Sequence, residues 1–571
     1  MKKKSAIVVA SVLVFAALFL GFSREEAIET YVVPQTVDLE LPFFLRESPQ
    51  WALEKMEQMS LRQKIAQSFM VATWPNKSEA HQLEIDSLIQ HHEIGGLIYF
   101  QGNRTNTKAS IARFQQLTKV PLLLGMDAEW GSAMRLVGEE RFPYGLTLGA
   151  ANSPKHTETI AEAMGHELRE LGIHINFAPV MDVNSNPNNP VIGFRSFGED
   201  AQRVGLQGTA VIKGLESYNV LSCMKHFPGH GDTDVDSHYD LPTVNKSLRD
   251  LYLMDWTPFK MGRLAGASSV MMAHLRVPVL DSTGTPSSLS KVVIQYYLRG
   301  KLKFSGLVIS DALNMKAVAD RYGKVDVVVK AYLAGNDILL YPEDIAASIL
   351  AIEKAVADGK LSEEEVNERC LRILRAKYYS IVKPLKAKSP DAYELDFALN
   401  QTYEKALTVL KNENAIPVGR VDRKLAIVTI GARSGAFFER SASYAQLDSF
   451  QAFIGDEATR RFSDTLATYD VILVNVHAKS MLPRNNYGYP DGWEDFINSL
   501  PEKSSVIVTL FGNPYVIKDP AQFANVDGFV LGYENHPRAH ERAAQLIFGG
   551  FSSEGKLPIT LSYLLPIDFG V

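Results

Sequence analysis

Fourteen consecutive residues, KHFPGHGDTDVDSH from Lys225 to His238, hold three histidines (His226, His230, His238), three aspartates (Asp232, Asp234, Asp236) and Lys225. These groups accept, donate or balance protons near neutral pH, and a run this dense has the composition of a reaction site. Asp236 and His238 stand two apart. A carboxylate beside an imidazole orients the ring, raises its pKa and lets it serve as acid and then as base, provided the backbone turns so that the two meet. Gly229 and Gly231 loosen the stretch and predict a mobile loop. The histidine and aspartate types also suit zinc, with His226, His230, Asp236 and His238 as ligands, but no HExxH-like spacing accompanies them and no metal or cofactor is expected.

A second chemical group is Asp311 in VISDALNM. At the end of a buried strand it could be a carboxylate nucleophile; equally, it precedes ALNMKAV, which reads as helical, and Asp is a favoured N-cap. Both readings stay open on spacing alone.

These residues need strands to hold them, and the chain supplies eight short apolar runs: 68–73, 95–100, 121–127, 174–180, 221–227, 268–274, 306–311 and 337–342. The gaps between them are long enough for helices, which predicts an N-terminal (β/α)8 TIM-like barrel. Polar residues then fall at the carboxyl ends of strands: Asp127 on the third, Lys225 and His226 on the fifth, His274 on the sixth and Asp311 on the seventh. That is where α/β enzymes keep their chemistry, although a doubly wound sheet would place them likewise. Helices are expected over 51–69, 344–358 and 361–382. Further strand-like runs at 424–431, 469–476, 504–512 and 526–533 predict a smaller C-terminal parallel α/β sandwich domain, with no phosphate-binding glycine pattern. The expected division is 46–382 for the barrel, 383–400 for a linker and 401–571 for the second domain.

A chain of 571 residues exceeds one ordinary core, and 46% apolar with 22% charged residues is a globular composition. Net charge of −6 leaves no basic footprint for a nucleic acid. Lys2, Lys3 and Lys4 precede the uncharged run 6–23, which reads either as a cleaved export signal or as a retained membrane anchor, followed by a Pro-punctuated tether over 24–45. Cys223 and Cys370 are expected to be buried and unbridged.

KHFPGHGDTDVDSH and VISDALNM, together with INFAPVMDVNSNPNNPVIGFRSFGED (175–200), MDAEWG (126–131), FGNPY (511–515) and FGGFSSEGKLPITLS (548–562), resemble glycoside hydrolase family 3, in particular its bacterial β-N-acetylglucosaminidase branch, which acts on peptidoglycan fragments. The resemblance implies a retaining double displacement on a carbohydrate substrate, removing terminal GlcNAc from muropeptides or related glycans. It implies Asp311 as nucleophile, His238 as general acid/base paired with Asp236, and Asp127, Arg195, Lys225 and His226 as sugar contacts; His274 supports the site. Ala312 after the nucleophile and the intact DSH favour this branch over the β-glucosidases, which draw an acid/base Glu from the second domain; Glu534 is the competitor here. Another family activity, a β-glucosidase or a phosphorylase using phosphate in place of water, is the alternative. Trp130 departs from the family's DxEGG form, where a Gly stands.

Overall fold

The computed structural model describes residues 41–571 apart from 236–239, 386, 420–421, 433–434, 457–462 and 519–522. The predicted dyad of Asp236 and His238, and the apolar run 6–23, therefore lie outside the described residues. Among the described residues no helix is long and apolar enough to cross a membrane.

All eight predicted barrel strands form: β1 (Phe69–Thr73), β2 (Gly96–Tyr99), β3 (Leu123–Met126), β4 (Ile175–Asn176), β5 (Leu221–Phe227), β6 (Ser269–Met272), β7 (Leu307–Ser310) and β8 (Leu339–Leu340). They are parallel and joined in chain order, with β8 beside β1. A bridge between Ile309 and Ile338 joins the two ends of the sheet, so the fold is a closed barrel rather than an open doubly wound sheet. Alternation along the strands separates two cores. Met70, Ala72, Ile98, Ile175, Cys223 and Ile309 fill the interior, while Phe69, Val71, Leu97 and Tyr99 pack outward against helices. Phe44 joins the interior cluster, so the predicted tether is already part of the folded body by that residue. Both cysteines are buried and unbridged. The helix expected over 51–69 is two, Gln50–Glu57 and Leu61–Ala66, because Ser60 and Gln63 form a capping box that starts the second.

The second sheet has six strands, ordered β11-β10-β12-β13-β14-β9. Here β9 is Thr408–Asn412, β10 Leu425–Gly431, β11 Leu447–Ala452, β12 Val471–His477, β13 Ser505–Phe511 and β14 Gly528–Leu531. It is mixed rather than wholly parallel, since β9 runs antiparallel to β14. The sequence reading misses β9 and β11. Both are edge strands, and β11 (LDSFQA) is largely open to solvent on both faces, so neither shows a long apolar run. The expected linker is helical in its second half: Asp391 caps a helix, Ala392–Ala406, whose Ala398, Leu399, Thr402, Tyr403 and Ala406 are buried.

The end of this sheet holds two buried histidines, His477 and His540, and a half-buried one, His536. His477 ends β12 and lies 4.8 Å ring to ring from His540, while His536 caps the helix Pro537–Ile547. Burial pushes His477 and His536 down to about 4 and His540 to about 2, the last also through the neighbouring histidines. They fold neutral, whereas an unfolded histidine titrates near 6.5. Between those values the unfolded chain binds more protons, so stability present above about pH 6.5 is lost as the pH falls toward 4. Thermal melts are expected to drop steadily over that window, well above the range in which paired carboxylates such as Asp127 are protonated; a level profile from pH 7 to 5 would contradict this.

Candidate active site

The barrel mouth is built on a ring of charges at the ends of β3 and β5. Lys225, only 2% exposed, bridges Asp127 (Nζ to Oδ1 2.9 Å) and Glu129 (Nζ to Oε1 2.7 Å). Arg135 donates to the other oxygen of Asp127 at 2.6 Å, and Arg195 grips Glu129 through Nε at 3.0 Å and Nη2 at 2.6 Å. Burial opposes ionisation here, but the cations win. Lys225 and Arg135 hold Asp127 well below the ordinary carboxylate range, and Arg195 with Lys225 holds Glu129 down to about 2. Lys225 is raised in turn, burial being outweighed by the two carboxylates. The ring is thus permanently charged near neutral pH, which suits it to gripping hydroxyls rather than to moving protons.

A second network starts from Asp182, six residues beyond β4 and fully buried. Its carboxylate accepts from His226 Nδ1 (2.7 Å), from the His226 backbone N–H and from the His230 backbone N–H (2.7 Å). These bonds set the His226 ring with Nδ1 protonated, leaving Nε2 as its other polar atom. They also seat the start of the loop that runs toward Asp236 and His238. His230 is itself buried, bonded through Nδ1 to Thr233 Oγ1 at 2.9 Å and pushed by burial, helped by His226, down to about 4. A group neutral at pH 7 with so low a pKa is a poor proton donor, so His230 drops out as an acid. The loop glycines have a packing role that the mobility reading did not contain. A Cβ on Gly231 would fall 1.8 Å from the Val183 carbonyl oxygen, and Gly229 sits at φ +128° against Asp255.

Asp311 follows β7 directly, half-buried, with its N–H bonded to Met272 O (2.9 Å) and its Oδ1 accepting from Ala312 N at 2.8 Å. It caps no helix: the next one is Lys316–Tyr322, and Met315 holds the cap position. The cap reading of Asp311 is therefore removed. Its strand is separated from β5, which carries Lys225 and His226, by β6 alone. His274 is buried and braces this strand end, with Nε2 donating to Ala312 O (3.0 Å) and Nδ1 accepting from Ser288 Oγ (2.6 Å).

The second domain props up the mouth without supplying its chemistry. Asn184 donates to Tyr515 Oη at 2.6 Å and Glu199 accepts from Thr560 Oγ1 at 2.5 Å, so both ends of the segment carrying Arg195 are tied to the motifs FGNPY and KLPIT. Trp130 packs edge-on against Tyr144 (4.9 Å) and near Phe194 (5.9 Å), filling the seam where the family form has Gly. Glu534 is buried and consumed by Arg141, Tyr144 N (3.1 Å) and Thr147 Oγ1 (2.6 Å), an arrangement that ties two domains together and leaves no free oxygen for proton transfer.

The structure thus brings Asp127, Lys225 and Arg195 into one ring and places His226 and Asp311 on strands separated only by β6, while Asp236 and His238 are outside the described residues. Sequence reading missed Glu129, Arg135 and Asp182. Glu129 and Asp182 lie inside quoted motifs, two residues after Asp127 and within APVMDVN; Arg135 had no signal. Among the described residues no cluster of three or more His, Cys, Asp and Glu is placed to hold a metal ion.

Comparison with known proteins agrees with this geometry. Residues 60–376 match the Glycosyl hydrolase family 3 N terminal domain. A β-hexosaminidase A of Pseudoalteromonas piscicida is 28% identical over 84% of this chain and 91% of its own length. A β-hexosaminidase of Thiobacillus denitrificans is 36% identical over 45% of this chain and 74% of its own. Among solved structures, a family 3 β-N-acetylglucosaminidase from Paenibacillus sp. str. FPU-7 superposes with a TM-score of 0.74 at 29% identity, covering 88% of this chain and 99% of that one. Eight parallel strands with their charged residues gathered at one end, and a family match over more than half the chain, make this protein a glycoside hydrolase belonging to glycosyl hydrolase family 3.

Proposed function

We propose that the chain is an exo-acting, retaining β-N-acetylhexosaminidase that releases terminal GlcNAc from muropeptides or related glycans. The observation that carries the reading is Asp311: a carboxylate with no capping duty at the carboxyl end of a barrel strand, the end that also carries a ring of fixed charges able to hold a sugar. The names of the relatives support the acetylamino sugar. In the first step an Asp311 oxygen attacks the anomeric carbon while the glycosidic C–O bond breaks and His238 gives its proton to the departing oxygen. In the second, His238 takes a proton from water, whose oxygen attacks the anomeric carbon and releases Asp311. Asp236 orients the ring and steadies its charged form. Asp127, Arg195, Lys225 and His226 hold the sugar hydroxyls, and a permanently ionised Asp127 would accept from two of them. The site of work is proposed to lie outside the cytoplasm, from Lys2–Lys4 and the apolar run behind them.

Initial rates on 4-nitrophenyl β-N-acetylglucosaminide and the matching β-glucoside, with and without inorganic phosphate, test the assignment. A preference of about tenfold or more for the acetylamino sugar, with free GlcNAc as product in either buffer, is expected. Preference for the glucoside, or formation of a sugar phosphate that rises with phosphate, would replace the proposal by one of the other family activities.

A further inference from the structure

Exposed apolar side chains gather on one flank of the barrel. The continuous helical segments Leu248–Asp250, Leu251–Asp255 and Trp256–Leu264, together with Val292–Lys301, leave Leu248, Tyr252, Leu253, Met254, Val292 and Tyr296 exposed, Leu253 and Tyr296 at 53% each. The two helices form one surface, because a chain of rings crosses between them: Tyr252 to Trp256 (6.2 Å), Trp256 to Tyr297 (5.7 Å) and Tyr297 to Tyr296 (4.9 Å). Contiguous exposed apolar surface of this kind marks a contact face.

Its charge says what the face meets. In a chain of net charge −6, residues 292–304 contain no acid, and Arg249, Lys260, Arg263, Lys301 and Lys303 on the two segments face a single exposed carboxylate, Asp250. Lys260 Nζ lies 3.1 Å from the Tyr252 ring centre and Lys301 Nζ 5.1 Å from that of Tyr296, so cations and aromatics alternate. Aromatic and aliphatic side chains set among lysines and arginines fit the headgroup layer of an anionic bilayer. The preceding chain also enters here: Phe43 N–H donates to Gly266 O at 3.3 Å, two residues beyond the helix Trp256–Leu264.

We infer that this flank lies on an anionic phospholipid surface. Cys223 and Cys370 are buried, so a single surface cysteine labels selectively. The intact chain carrying Leu253→Cys, Tyr296→Cys or, on the opposite side of the barrel, Leu83→Cys is labelled with a polarity-sensitive dye. Each is reconstituted into phosphatidylglycerol-containing vesicles, phosphatidylcholine vesicles or detergent. Quenching by acrylamide should fall about fivefold at 253 and 296 in the anionic vesicles alone, recover with added salt and stay unchanged at 83. Equal quenching at all three positions, or failure of the chain to float with vesicles, overturns the inference. Protection already present in detergent that rises with protein concentration overturns it too, and makes the face a contact with a second copy. Hydrolysis assayed in detergent is a separate readout, so failure here leaves the enzymatic reading intact.

Discussion

Asp311→Ala is expected to lower kcat/KM on 4-nitrophenyl β-N-acetylglucosaminide by about 10⁴-fold or more, with the barrel still folded. The fold should survive because Asp311 is half-buried and follows β7 rather than lying within it, so trimming its side chain removes little of the core. The rate should not, because the buried carboxylates of the mouth are committed elsewhere: Asp127 and Glu129 are each held by two cations, and Asp182 by two histidines. Azide offered to the Ala variant should restore turnover and yield the α-glycosyl azide, since a small anion then fills the vacated space on that face. Ordinary activity in the Ala variant without any added nucleophile would return Asp311 to a supporting role.

Lys225→Met is expected to act twice. Methionine keeps the length and loses the charge that Asp127 and Glu129 share at 2.9 and 2.7 Å. Each carboxylate retains one arginine, so the protein should fold while losing about 3 kcal/mol, at the lower end of the cost of breaking a buried ion pair. Asp127 and Glu129 would then repel each other with less compensation, and a grip on sugar hydroxyls built on their fixed charges should fail, lowering kcat/KM by about 10²-fold or more. Denaturant melts read with steady-state kinetics separate the two effects. Lys225→Arg should recover part of the stability and little of the activity, because a planar fork does not replace a point charge between two carboxylates. Wild-type kinetics in a destabilised Lys225→Met would mean that the ring only holds the fold.

The barrel was legible because each strand is buried on both faces and so appears as an apolar run ended by a polar residue, as in LSCM before Lys225 and GLVIS before Asp311. Its closure was not, since that rests on one pairing of Ile309 with Ile338, residues whose types say nothing about which strand lies beside which. The edge strands of the second sheet escaped for the opposite reason: Asp448, Ser449 and Gln451 leave no apolar run to notice. At the site, Lys225 and Asp127 stood out by their places at strand ends, but Asp182 did not. Its function comes from the fold laying the segment after β4 against the turn after β5, which puts one carboxylate under two histidines distant in sequence. The seam filled by Trp130, Tyr144 and Phe194 likewise depends on a neighbouring domain that no local pattern encodes.

The central claim is a covalent glycosyl–Asp311 intermediate, and its most direct test is mass spectrometry of the enzyme inactivated with a fluorinated N-acetylglucosaminyl donor bearing a good leaving group. Fluorine slows both steps, and the leaving group spares the first, so the intermediate accumulates. One sugar per chain is expected, mapped by peptide digestion to Asp311. A label on another carboxylate, or release of the α-anomer as first product with no labelled protein, would contradict it.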